Sequence, residues 1–261
     1  MISPNPGIRS VFAALRHSLT PGSQITQVYN GTWRLEIPAG AAGQYRLAQL
    51  DDYSQLRREE FPWRPPISLQ VRARASAEAI PGTWGIGLWN DPFSLSIGLG
   101  GGRRRLPALP NAAWFFFASP HNYLSLRDDL PASGSLAATF QSELLPAPVM
   151  ALSALLLPML ALPVTARLFR RAGRRKVRQD AASFSARLTD WHSYHMEVES
   201  GEVRFGLDGR TLYATPLAPL GPLGLVVWID NQYAALPPQG KLSYGTLSNP
   251  EPAWIEIEPV E

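Results

Sequence analysis

The 261-residue sequence predicts an all-β fold, antiparallel strands stacked in two layers. Three observations predict it. Apolar residues recur at period two in several short runs, the spacing of strands that bury one face. Turn residues punctuate the chain between those runs, and with 25 Pro and 21 Gly they suit many short strands better than long helices. The pair Asp208-Gly209 stands between Val203-Phe205-Leu207 and Thr211-Leu212-Tyr213. Asp-Gly between two strand runs signals a tight hairpin, because both turn residues need positive φ.

Residues 1–261 are read as one unit of a size common for sandwiches. With no Cys there is no disulfide framework and no thiolate metal site. His17, His121, His192 and His195 are too scattered for a zinc pattern, so neither a metal nor a cofactor is expected. The net charge of +3 is a local property. Arg167, Arg170, Arg171, Arg174, Arg175, Lys176 and Arg178 share an acid-free window, and the rest of the chain carries more acids than bases. Only Phe169 lies near that window to stack on a base, so no nucleic-acid partner is expected. Residues 1–20 read as a short amphipathic helix. Arg9, Arg16 and His17 break the unbroken apolar stretch of a signal peptide, which gives the expectation of a chain starting at Met1 on the cytoplasmic side.

Taken in order, Thr32 to Ile37 alternates with Trp33, Leu35 and Ile37 on one side, and Tyr45 to Leu50 alternates again as its hairpin partner. Residues 54–66 are polar and Pro-rich and read as a loop. Ile67 to Ala75 is the cleanest strand: Ile67, Leu69, Val71 and Ala73 face one way, Ser68, Gln70, Arg72 and Arg74 the other. The arginine side is read as a solvated outer face in preference to a polar groove. In residues 82–89 Gly82, Gly85 and Gly87 interleave with Trp84, Ile86 and Leu88, ending at Trp89. Glycine inside a strand marks close approach of another backbone or a ligand. Gly98 to Gly102 is no phosphate loop, since neither GK[ST] nor a helix pattern follows.

Asn111 to Ser119 is a wholly apolar run and suits a strand buried on both faces. Residues 191–198, 202–207 and 223–229 are further strands, the last ending at Asp230-Asn231-Gln232-Tyr233. Lys241 to Leu247 and Ala253 to Ile257 are expected to be the final strands, with Trp254, Ile255 and Ile257 either pairing at an edge or closing the sheet.

Trp191, His192, Tyr194, Phe205, Asp208 and Gly209 form the pattern W-H-x-Y, a short turn, then F-x-x-D-G. This resembles the strand pair near the end of concanavalin A-like sandwiches, above all those of glycoside hydrolase family 16. The likeness covers roughly residues 65–125 and 185–250 and implies a jelly-roll β-sandwich. In the catalytic members a strand after a segment like residues 84–89 bears E-x-D-x-x-E, and those acids supply nucleophile and general acid/base. Retaining hydrolysis needs two carboxylates about 5 Å apart. Here the corresponding strand reads AAWFFFAS and has no acid. The resemblance therefore implies the fold without that chemistry.

Residues 144–166 carry no charge and are followed at once by the basic window. Pro146, Pro148, Pro158 and Pro163 argue against a straight spanning helix. Residues 144–180 are thus read as a helical insertion, hydrophobic then basic. Two readings stay open: a segment in a membrane interface, with Arg170, Arg171, Arg174 and Arg175 on an anionic surface, or a helix packed on the sandwich with its arginines in water.

The sequence points to a non-catalytic binding module. Aromatic faces in the groove of one sheet would stack on a glycan or another amphipathic small molecule, and polar groups at strand ends would orient it. The candidate set is Trp84, Trp89, Asn90, Asp91, Trp114, His121, Tyr123, Trp228, Asp230, Asn231 and Tyr233, with Gln232 beside it. The competing reading is an enzyme that uses the same groove with His121 or Asp230 as acid/base. His192 and His195 face opposite sides of their strand and form no pair, and no G-x-S-x-G elbow supports a serine triad.

Overall fold

The structure, a computed structural model, describes residues 8–29, 31–92, 105–143, 162–240 and 242–260. Two seven-stranded sheets stack face to face. In the first, β1 (Arg16–Leu19), β4 (Leu47–Asp51), β13 (Gly224–Asp230), β6 (Thr83–Trp89), β7 (Ala112–Ala118), β8 (Gly134–Ser142) and β9 (Val177–Ser183) lie side by side in that order. In the second the order is β12 (Arg210–Thr215), β11 (Val203–Leu207), β10 (His192–Val198), β5 (Ile67–Ala75), β16 (Ala253–Pro259), β3 (Thr32–Ile37) and β2 (Gln24–Tyr29). Every pairing within them is antiparallel.

Period-two patterning explains the layering. Leu69, Val71 and Ala73 of β5, Tyr194 and Met196 of β10, and Ile255 and Ile257 of β16 point inward from the second sheet. They meet Leu50, Trp84, Ile86, Leu88, Phe115, Phe117, Leu225, Val227 and Ile229 from the first. Removing each large side chain from water contributes roughly 1.5–3 kcal/mol. The β10–β11 hairpin registers Tyr194 against Leu207 and Val198 against Val203. Its exit turn adopts the expected geometry, with Asp208 at φ 50° and Gly209 at φ 78°. Asp208 also accepts from the Ser193 amide and contacts His192 Nδ1 at 2.7 Å, so that histidine pins the turn.

The second sheet turns its charged side outward, as read from β5. Glu256, 1% exposed, accepts from Arg34 at 2.6 Å and from Arg74 at 2.8 Å. The Arg74 guanidinium lies over Trp191 and Trp254, and Arg34 over Trp254. β16 is therefore central, between β5 and β3, and not at an edge. Its alternation of Ala253, Ile255 and Ile257 with Trp254 and Glu256 fits a strand flanked on both sides.

Other expectations are corrected. The N-terminal helix is short, Ile8–Ala13, and the chain enters β1 at Arg16. Among the described residues β15 (Ser243–Thr246) joins neither main sheet and pairs with β14 (Gln232–Ala235) alone. The basic window is helix as far as Lys176, and its last member, Arg178, lies on a strand. Helix α2 (Pro163–Lys176) opens with Pro163 at its first position and ends where Val177 begins β9. The glycine loop 98–102 and the insertion's residues 144–161 lie outside the described residues.

α2 packs against the sandwich through Ala166 and Arg170. Gly240, at φ 81°, admits the helix start: a Cβ there would stand 2.2 Å from Arg167 Cγ. Arg170 is 3% exposed. It donates to the Ser125 and Leu236 carbonyls at 2.5 and 2.8 Å and to Asp128 at 2.6 Å, and it lies over the Tyr123 ring. A membrane contact through Arg170 is thereby corrected: its side chain is consumed holding the helix down. Arg174 shares Asp128 at 2.9 Å from the surface, and Arg171 and Arg175 are exposed. Among the described residues no helix is long and apolar enough to cross a membrane.

Candidate ligand-binding face of the first sheet

The first sheet is apolar on its outer side as well. Positions 114 and 116 on β7, 136, 138 and 140 on β8, 177 and 181 on β9, and 226 and 228 on β13 build a second cluster there. Tyr53 and Phe61, from the long loop after β4, join it. This accounts for the unbroken apolar run of β7, whose seven residues are all buried.

Three tryptophans from three strands meet on this face. The Trp114 ring lies 5.9 Å from Trp89 and 6.0 Å from Trp228, with Phe116 at 5.4 Å and Phe140 at 5.8 Å. Glycines on β6 make room. A Cβ on Gly85 would stand 2.4 Å from Trp228 Cη2, and one on Gly87 2.3 Å from Trp114 Cβ. Of the glycines read from the sequence as marks of close approach, Gly85 is approached by the Trp228 indole, Gly87 by Trp114 at its Cβ, and Gly82 by the backbone of Asp230 and Asn231.

At one end the floor meets a polar cluster. Trp228 Nε1 donates to Thr83 Oγ1 at 3.0 Å, and that hydroxyl donates to Asp230 Oδ1 at 2.8 Å. Asp230 Oδ1 also accepts from the Thr83 and Gln232 amides. Burial pushes the Asp230 carboxyl up to about 7, against the hydrogen bonds from Thr83, Gln232 and Tyr45. Burial and the neighbouring Asp230 push the Tyr45 phenol up in turn. On the rim, exposed His121 and half-buried Tyr233 have ring centroids 6.0 Å apart. Tyr123 bridges to Ala235 beside them, beneath Arg170.

At the β8–β9 side a small cleft opens between the sheet and the 124–132 loop. Trp114, Phe116, Phe140, Leu124, Pro131 and Gln179 are among its walls, and its void is about 20 Å³. That is room for about one water. Gln179 Oε1 accepts from the Leu126 amide and fixes the loop to β9.

The other predicted residues serve the frame. Trp84 faces the inner core, stacked on Phe117 with centroids 3.6 Å apart, because it is out of phase with Gly85 and Gly87 on the same strand. Asn90 accepts from the Asn111 amide and donates to the Leu109 carbonyl. Asp91 pairs with buried Arg105 at 2.6 Å, and Arg105 also donates to the Tyr53 and Leu56 carbonyls. Asn231 accepts from the Arg46 amide and donates to the Gln44 and Leu247 carbonyls. The polar groups of Asn90, Asp91 and Asn231 thus tie loops together, and the expectation that they orient a ligand is corrected. Phe116 and Phe140 were not singled out from the sequence, although Phe116 shares the parity of Trp114. Tyr53, Phe61 and Arg105 reach the face from loops, where no period marks them. Among the described residues no group of His, Asp and Glu gathers in a metal-holding arrangement.

Two stacked antiparallel sheets, with the W-H-x-Y strand paired to the strand that ends in Asp208-Gly209, make this a concanavalin A-like sandwich. No family model matches the sequence, and no curated protein matches it. Solved structures with similar folds include the κ-carrageenase from Pseudoalteromonas carrageenovora, at 9% identity over 94% of this chain and 86% of that one, TM-score 0.47. Another is a glycoside hydrolase family protein from Mycobacterium thermorestibile, at 11% identity over 91% of this chain and 79% of that one, TM-score 0.47. LamAcat from Zobellia galactanivorans is a third, at 11% identity, 95% and 96% coverage and TM-score 0.41.

Proposed function

We propose that the protein is a non-catalytic binding module that takes a glycan, or another ring-shaped amphipathic ligand, on the aromatic outer floor of the first sheet. One observation carries the reading. On β7, which the resemblance aligns with the acid-bearing strand of the hydrolases, the outward positions are Trp114 and Phe116. A flat apolar floor suits the apolar face of a pyranose and supplies neither nucleophile nor proton donor. The void beside it holds about one water, so a ligand seated there requires the 124–132 loop to move off β9. Affinity electrophoresis through gels containing laminarin, carrageenan or no polymer tests this. Retardation by one polymer, lost in Phe116→Ala with the fold intact by circular dichroism, is the expected result. Equal mobility in every gel rules the glycan out.

A second reading has its own observation. A buried carboxyl pushed up to about 7 is suited to exchange a proton near neutral pH, and Asp230 is such a group beside the aromatic floor. In this reading Asp230, or His121 on the rim, serves as acid/base. It predicts turnover that Asp230→Asn or His121→Ala abolishes while binding persists. The binding reading is preferred because Asp230 Oδ1 is occupied by Thr83 and Gln232.

The proposal includes a peripheral position at the cytoplasmic face of a membrane, supported by the exposed Arg171 and Arg175 of α2.

A further inference from the structure

We propose that the outward face of α2 docks on an anionic lipid surface, its N-terminal half in the headgroup–acyl boundary and its arginines on the headgroups. This rests on the peripheral position proposed above and names the surface responsible. Val164, Leu168, Arg171 and Arg175 recur at i, i+4, i+7 and i+11, one stripe of a helix. The buried Ala166 and Arg170 lie on the opposite side. The stripe faces away from the sandwich, yet its first half is apolar: Val164 is 60% exposed and Leu168 56%, and Leu162, the residue before the helix, is 58% exposed.

Two further observations choose lipid over water. Arg171 and Arg175 continue the stripe, and no acidic side chain among the described residues is paired with either. The nearby Asp128 is already held by Arg170 and Arg174. Their charge is therefore available to an anionic surface, where each basic residue contributes about 1 kcal/mol. The apolar half is also the half of the helix that follows an uncharged run of the sequence, residues 144–162. An apolar patch ending in unpaired arginines is the composition of an interfacial helix.

Vesicle cosedimentation tests this with the full chain, using phosphatidylserine–phosphatidylcholine vesicles and phosphatidylcholine vesicles at low and high salt. Two variants are compared with the native protein, Arg171→Gln/Arg175→Gln and Val164→Asp/Leu168→Asp. All four positions point to solvent, so both variants should keep native circular dichroism and melting behaviour. The native protein is expected to pellet with the anionic vesicles at low salt and to be released by high salt. The arginine variant should partition roughly 30-fold less onto them, and the aspartate variant should stay in the supernatant. If the native protein pellets and both variants pellet equally well, another surface binds lipid: the assignment to α2 falls and the peripheral position stands. If the native protein never pellets, both fall. A concentration-dependent dimer abolished by Val164→Asp/Leu168→Asp, without lipid binding, would make the stripe a self-association surface and also overturn the proposal.

Discussion

Trp228 lies across Gly85, close enough that a Cβ on the glycine would stand 2.4 Å from the indole. The same Cβ would sit 2.6 Å from the Phe115 carbonyl oxygen, which belongs to the neighbouring strand and cannot rotate away. Gly85→Ala should therefore destabilise the protein by about 1–3 kcal/mol, the range for overpacking a filled site. Urea unfolding should show a lower midpoint with little change in slope. An unchanged midpoint would mean that the indole is not held against the sheet.

Arg170 and Arg175 are both basic residues of α2, and the structure gives them opposite roles. Arg170→Gln withdraws donors from the buried Ser125 carbonyl and the part-buried Leu236 carbonyl, and a buried group left unsatisfied costs about 1–3 kcal/mol. Arg175→Gln, on the solvent side, should stay within about 0.5 kcal/mol of the native protein. Thermal melts of the two variants measure the difference. Equal melts would place Arg170 outside the packed interface.

Asp230 makes stability depend on pH. Its carboxyl rises from 3.8 to about 7 on folding, so the native state holds the proton more tightly than the unfolded chain. Stability should be greatest at acid pH with respect to this group, fall as pH rises from about 4 to about 7, and level off above. The cost of ionising it is on the order of 4 kcal/mol at most. Asp230→Asn removes the charge and keeps an acceptor for Thr83. The variant should be more stable than the native protein at pH 8 and should show a flatter profile between those limits. Chemical denaturation across that range measures it, and parallel profiles for the two proteins would contradict the assignment.

The strands legible in the sequence were those with one apolar side or none polar. Ile67–Ala75 has the expected bounds, Ala112–Ala118 fills the apolar run 111–119 but for its end residues, and the Asp208-Gly209 turn has the expected geometry. β1 and β2 gave no signal because, as edge strands, neither buries any residue fully. β8 and β9 were hidden by small and polar residues such as Ala138, Gln179 and Ala181, which cover the sheet without marking a period. The candidate site was harder still. The first sheet is covered on both sides, so hydrophobicity alone did not tell inner Trp84 from outer Trp114. Nor did a cluster of arginines reveal that Arg170 turns inward, since that depends on carbonyls contributed by residues far along the chain.

The central claim is that the outer floor of the first sheet binds a ring-shaped ligand without cleaving it. The direct measurement is a tryptophan-fluorescence titration with laminari- and carrageenan oligosaccharides, with new reducing ends assayed in the same samples. Saturable quenching by one of them, weakened in Phe116→Ala and without new reducing ends, is the predicted result. Appearance of reducing ends, with a covalent glycosyl adduct on any Asp or Glu of this chain, would contradict it.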